Sequence, residues 1–142
     1  MQQLTARLVL GAAMLMAQAV AASAQPQTVW GGVYSEAQAF RGEKVADTVC
    51  LGCHGAKLAG GDSGPKLVGD DFLSDWDGLT VGDLFAAISD KMPKDAPGTL
   101  KKEDVASVIA YILQNNNMPS GRQELTPDRD ALAPIIIQAT KP

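Results

Sequence analysis

The two cysteines and the single histidine of this 142-residue chain fall together in one short run, Cys50-Leu51-Gly52-Cys53-His54. Few chemistries accept two thiols three positions apart with an imidazole directly after the second. A redox dithiol expects a strand–helix–strand setting, and none is legible around it. Zinc wants four ligands, and the neighbours Cys53 and His54 are hard to place on one tetrahedral ion. A structural disulfide between Cys50 and Cys53 leaves His54 without a role. Covalent haem attachment uses all three groups. Thiols one short turn apart add to the two vinyl groups on one porphyrin edge, and the imidazole then meets the iron from one face. The run therefore predicts one covalent haem c, with His54 as an iron ligand.

Composition narrows the setting. The length suits one domain. Twelve basic residues against 16 acidic ones give a net charge of -4, which argues against nucleic acid as a partner, since phosphate binding needs clustered Lys and Arg. A mean hydropathy of -0.01 excludes a polytopic membrane protein. The first residues read as an export leader: Arg7, an apolar run over residues 8–22 broken only by Gln18, then Ala22-Ser23-Ala24. The run is short for a bilayer span, which takes about 20 apolar residues. We expect cleavage after Ala24, leaving residues 1–24 as signal peptide and 25–142 as one haem-bearing domain. The expected location is the periplasm or an equivalent space, with no stable membrane insertion after cleavage. Export agrees with the motif, because c-type haem is attached after it.

Residues 25–34 read as an irregular arm carrying Val29, Trp30, Val33 and Tyr34. Ser35 can cap a helix running to about Val49, with Phe40, Val45 and Val49 as a loose apolar stripe. Glycines at 52, 55, 60, 61, 64, 69 and 78 mark residues 55–78 as one long loop. A compact domain rarely keeps such a loop unless it wraps something. Thr80 opens a second helix, with Asp83 placed almost as in a capping box, and Leu84, Phe85 and Ile88 as its buried face. Met92-Pro93 ends it, and Pro97-Gly98 is a turn. A third helix spans about 101–114, where Val105, Val108, Ile109, Ile112 and Leu113 follow i, i+3, i+4, i+7, i+8. Asn115 to Asn117 stop it. The tail is irregular until a short apolar patch over 132–137 that should dock. With no strand alternation, the class is all-α. Three helices make a thin core for a chain this size, and a large apolar cofactor would fill it.

The second iron ligand cannot be another histidine. Once the leader is gone, only Met92 and Met118 remain as thioethers. Met92 is favoured because it sits where a helix ends and Pro93 fixes the chain direction after it. Met118 follows the third helix and suits a core or surface position.

Further residues carry a resemblance over nearly the whole mature chain: residues 29–34 (Val-Trp-Gly-Gly-Val-Tyr), Ala37-Gln38-Ala39 with Arg41-Gly42, residues 50–61, and Gly64-Pro65-Lys66-Leu67. Trp76, Met92-Pro93, Pro97-Gly98, Ala110-Tyr111-Ile112-Leu113 and Glu124-Leu125 continue it. The sequence resembles the class I cytochromes c. More narrowly, it is similar to the small cytochrome c modules that serve pyrroloquinoline-quinone-dependent dehydrogenases. The resemblance implies the class I cytochrome c fold: three main helices and a Gly-rich loop around one covalent haem. It implies that the Pro65 carbonyl accepts the His54 ring N–H and that Leu67 packs on the proximal haem face. Gly42 would let the first helix cross the third near Tyr111. Trp76 would donate its indole N–H to a haem propionate or simply fill the core. The chain departs from the family where Ala46 replaces a usual aromatic. It also has Lys101 where the last helix is often capped by Ser or Thr, so that Thr99 is expected to cap instead.

A haem with two protein ligands leaves no place for substrate, and a thioether ligand favours the ferrous state. The expected function is therefore single-electron transfer by a carrier, or by a non-catalytic cytochrome subunit of a dehydrogenase complex. The donor would be a periplasmic, quinoprotein-type dehydrogenase, and the acceptor a further cytochrome or an oxidase. The alternatives are a haem c enzyme subunit or gas-binding sensor with an open sixth position, and a haem-free thiol oxidoreductase. Lys91, Lys94, Lys101 and Lys102 bracket Met92, while Asp62, Asp70, Asp71, Asp75 and Asp77 crowd the Gly-rich stretch. Such a separation either steers a partner or is simply a solvated surface.

Overall fold

The computed structural model describes residues 27–142. The expected leader over 1–24 and its cleavage after Ala24 lie outside the described residues. The elements run β1 (Gln27–Thr28), a single 3-10 turn (Val29–Gly31), α1 (Glu36–Val49), α2 (Leu51–His54) and a second 3-10 turn (Ala56–Leu58). They continue with α3 (Gly69–Trp76), α4 (Val81–Lys91), α5 (Lys102–Asn115), α6 (Arg129–Leu132) and β2 (Ile135–Ile136). Among the described residues no helix is long and apolar enough to cross a membrane.

Helices α1 and α5 form the centre. The Ser35 hydroxyl caps α1 by accepting the Gln38 amide at 3.1 Å. The buried face of α1 is Gln38, Ala39, Gly42 and Ala46, small side chains that let α5 come close. A Cβ at Gly42 would run into the Ser107 carbonyl and stand 2.9 Å from the Val108 amide nitrogen. The crossing thus falls one turn earlier on α5 than Tyr111, where the resemblance put it. Phe40 leaves the expected stripe altogether. It lies two residues from Gly42, about 200° around the helix. It is 59% exposed, with the Lys44 ammonium 4.9 Å above its ring.

Helix α4 begins with a complete capping box. Thr80 Oγ1 accepts the Asp83 amide, and Asp83 Oδ2 accepts the Thr80 amide, both at 3.0 Å. It ends at Lys91, directly before Met92-Pro93. At α5 the N-cap is Lys101 with no side-chain bond. Thr99 does not cap it, because its hydroxyl donates back to the Ala96 carbonyl at 2.7 Å.

The stretch 55–78 is not one loop. Helix α3 interrupts it, burying Phe72 and resting Leu73 and Trp76 on the core. The tail is also more ordered than its sequence announces. β2 pairs in parallel with β1, Gln27 opposite Ile135 and Thr28 opposite Ile136. Leu132, Ile135 and Ile137 are all buried. The Tyr34 hydroxyl donates to the Met118 carbonyl at 2.6 Å, and the Gln38 carboxamide bonds both the N–H and the C=O of Leu125. The segment after α5 is thereby tied to the start of α1.

Candidate functional site

One apolar cleft of about 380 Å³ opens between the end of α1, α2, residues 63–67, the end of α4 and the inner face of α5. Ile88, Val108, Ile112 and Leu100 supply much of its wall. Both thiols, His54 and Met92 line this same cleft. No local rule brings residues 50–54 and 92 together. The packing of α4 on α5 does.

The motif is locally determined. The Cys50 amide donates to Ala46 at 2.8 Å and the His54 amide to Cys50 at 2.9 Å, so α2 continues one tight turn beyond α1. Side chains three apart on a helix share a face, which puts Cys50 and Cys53 side by side. The imidazole is 8% exposed, and its Nδ1 stands 2.8 Å from the Pro65 carbonyl oxygen. A carbonyl can only accept, so Nδ1 carries a proton, which leaves Nε2 as the nitrogen available to a metal. The Gly-rich segment lies flush on the motif. A Cβ at Gly61 would stand 2.5 Å from the Cys53 carbonyl oxygen, and one at Gly64 3.1 Å from His54 Nδ1. Only hydrogen side chains fit there.

Met92 follows α4 in extended conformation, its amide still bonded to Ile88 at 3.0 Å. Leu67 lines the cleft from the His54 side. Met118 is 3% exposed in the hydrophobic core and is not among the cleft-lining residues. Trp76 packs on Phe72, ring centroids 6.1 Å apart and 34° between planes, and is also absent from the cleft wall. Lys94 and Asp95 stand at the mouth. Lys91, Lys94, Lys101 and Lys102 are exposed, as are Asp62, Asp70, Asp71, Asp75 and Asp77.

Burial pushes the Cys50 thiol above its ordinary range. That opposes a thiolate-driven redox dithiol, which needs the reverse shift. Both cysteines are free. Among the described residues no three His, Cys, Asp or Glu side chains converge as a metal cluster. The donor set that does converge is two thiols, an imidazole with its Nδ1 held, and a thioether, all in one apolar cleft. Those residue types fit a haem held by thiols, with nitrogen and sulfur donors available to its iron.

One participant escaped the sequence reading. Asn116, read only as part of a helix stop, is 5% exposed and bonds the backbone at Leu67 and Gly69. A run of three asparagines marks a helix end and carries no sign of which one turns inward.

Residues 37–112, more than half of the chain, match the family described as cytochrome c oxidase, cbb3-type, subunit III. No curated protein matches. Among solved structures, the chain is similar to the sulfane dehydrogenase SoxCD from Paracoccus pantotrophus, at 20% identity and a TM-score of 0.50. The similarity covers 80% of this chain and 59% of that one, so the chain spans about three-fifths of its structural relative. At that identity the likeness speaks to the fold.

Proposed function

The chain belongs to the cytochrome c oxidase, cbb3-type, subunit III family, and from that premise we propose that it carries single electrons on one covalent haem c ligated by His54 and Met92. It is a small c-type cytochrome with the all-α class I fold, and its family chemistry is haem-based electron transfer. The observation that carries the finer reading is the shared cleft of Cys50, Cys53, His54 and Met92. Cys50 and Cys53 would hold the haem, each S–H adding across a vinyl double bond to give one C–S and one C–H bond with no leaving group. His54 Nε2 and Met92 Sδ would supply the nitrogen and sulfur donors to its iron. The bound group supplies a one-electron ferric–ferrous couple. The protein's residues do the rest: Pro65 fixes the imidazole, Leu67 and the α5 face exclude water, and the C-terminal end of α4 holds Met92.

The donor in this reading is an exported dehydrogenase and the acceptor a further cytochrome or an oxidase. The resemblance to modules serving quinoprotein dehydrogenases supports the donor, and the family's printed description names an oxidase. Export to the periplasm, by a leader over residues 1–24, belongs to the same proposal, as does a non-catalytic role.

The test is direct. The purified protein should keep its haem spectrum after denaturation, with a mass one haem above the polypeptide. The oxidised form should show the far-red band of thioether ligation. Met92→Ala should lose that band, bind carbon monoxide rapidly when reduced and keep the haem. Rapid carbon monoxide binding by the wild type would favour an open sixth position, and a colourless protein would end the reading.

A further inference from the structure

We propose that Asn116 is a positioning residue for His54, acting through the segment that presents the Pro65 carbonyl. The proposal rests on the reading of His54 as an iron ligand. The Asn116 carboxamide is nearly fully used. Its Oδ1 accepts the Gly69 amide at 3.0 Å, and its Nδ2 donates to the Leu67 carbonyl at 3.0 Å and the Ile112 carbonyl at 2.8 Å. Only one orientation of the amide satisfies all three partners, because two are acceptors and one is a donor. Asn116 thus ties residues 67–69 to the end of α5. It also serves as a cap from a distance. The N-cap of α3 is Val68, which has no side-chain acceptor, and the Gly69 amide takes Asn116 instead.

Before Pro65 the stretch is held by the Gly61 amide, which donates to the Gly64 carbonyl at 3.0 Å, and by close packing on Cys53; after it, the hold runs through Leu67. The Leu67 amide donates to the Leu58 carbonyl at 2.9 Å, so Leu67 is gripped on one side by Leu58 and on the other by Asn116. Pro65, two residues earlier, is exposed. The Lys66–Asp71 pair at 3.3 Å has side chains 59% and 77% exposed, a setting in which ion pairs add little. The carbonyl that meets His54 at 2.8 Å is therefore held on its C-terminal side through Leu67. Hydrogen bonds weaken steeply with displacement. A firm bond at Nδ1 raises the basicity of a ligating imidazole, which favours the ferric state.

Asn116→Leu keeps much of the volume and removes all three bonds. In the holoprotein, solvent exchange of the His54 Nδ1 proton, followed by NMR, should accelerate about tenfold or more, the worth of roughly one hydrogen bond. The midpoint potential should shift upward. Gln38→Leu is the control. It removes a buried amide clamp of the same kind, at 2.8 and 2.9 Å on Leu125, away from the cleft. It should lower stability yet leave both readouts in place. Unmoved readouts in Asn116→Leu, or equal movement in Gln38→Leu, would overturn the proposal while the wild type still holds its haem. A wild type without covalent haem would instead sink the ligand reading, and this proposal with it. Should Asn116→Leu not fold, Asn116→Ser is read by the same two measurements against the same control.

Discussion

At position 42 the absence of one methyl group decides how closely two helices approach. A Cβ there meets the Ser107 carbonyl, which belongs to the backbone of α5 and cannot swing aside. Gly42→Ala would gain about 1 kcal/mol of helix propensity. Overpacking a rigid contact costs about 3 kcal/mol, so the cost wins. The variant should lose roughly 2 kcal/mol in denaturant unfolding of the holoprotein. An unchanged midpoint would mean the crossing is loose. Phe40 teaches the complementary lesson. Its apolarity suggests a core position, but the face of α1 is chosen by which side can come near a neighbour, and small residues choose it.

Among the helices, legibility followed the location of the capping groups. The helices after Ser35 and Thr80 carry their caps in their own sequence, and their starts were legible within a residue. Helix α3 has Val68 in that place and draws its acceptor from Asn116, far along the chain. No window of sequence around 69–76 contains that information, so a loop was the natural expectation. The β1–β2 pair is two residues long on each side and leaves no periodic trace. The site divides in the same way. Cys50, Cys53 and His54 are contiguous and announce their chemistry, whereas the Asn116 clamp and the placement of Trp76 on Phe72 are products of packing. The α4 cap also sets a pH response. Hydrogen bonds from the Thr80 hydroxyl and then the Thr80 amide hold the Asp83 carboxyl below its ordinary range, with Arg129 helping slightly and burial opposing. A depressed carboxylate stabilises the fold above its unfolded pKa and stops doing so as pH falls through the folded value. Asp83→Asn should therefore lower the melting temperature at pH ~7, and the gap to the wild type should narrow by pH ~3. A gap that is constant with pH would show that the charge of Asp83 contributes nothing.

Across the whole molecule, charge is unevenly spread, and its most one-signed stretch is the acidic α3. Exposed lysines at 91, 94, 101 and 102 flank Met92 in sequence, interleaved with exposed Asp90, Asp95 and Glu103, whereas exposed aspartates at 70, 71, 75 and 77 stand on α3 and its end with no basic residue among them. Such an arrangement accelerates encounter with a complementary partner and is screened by salt. Stopped-flow electron transfer with the physiological donor should slow by about tenfold between low and high ionic strength. A flat profile would mean these lysines are only solvated.

The pairing of β1 with β2 places the beginning of the described fold beside its end. Ribosomes deliver chains from the N-terminus, so Cys50, Cys53 and His54 are made well before Ile135 and Ile136 exist to meet Gln27 and Thr28. The latch is completed only after the thiol-bearing turn has been made. Until it shuts, the thiol-bearing turn belongs to a half-wrapped polypeptide that another protein can still reach.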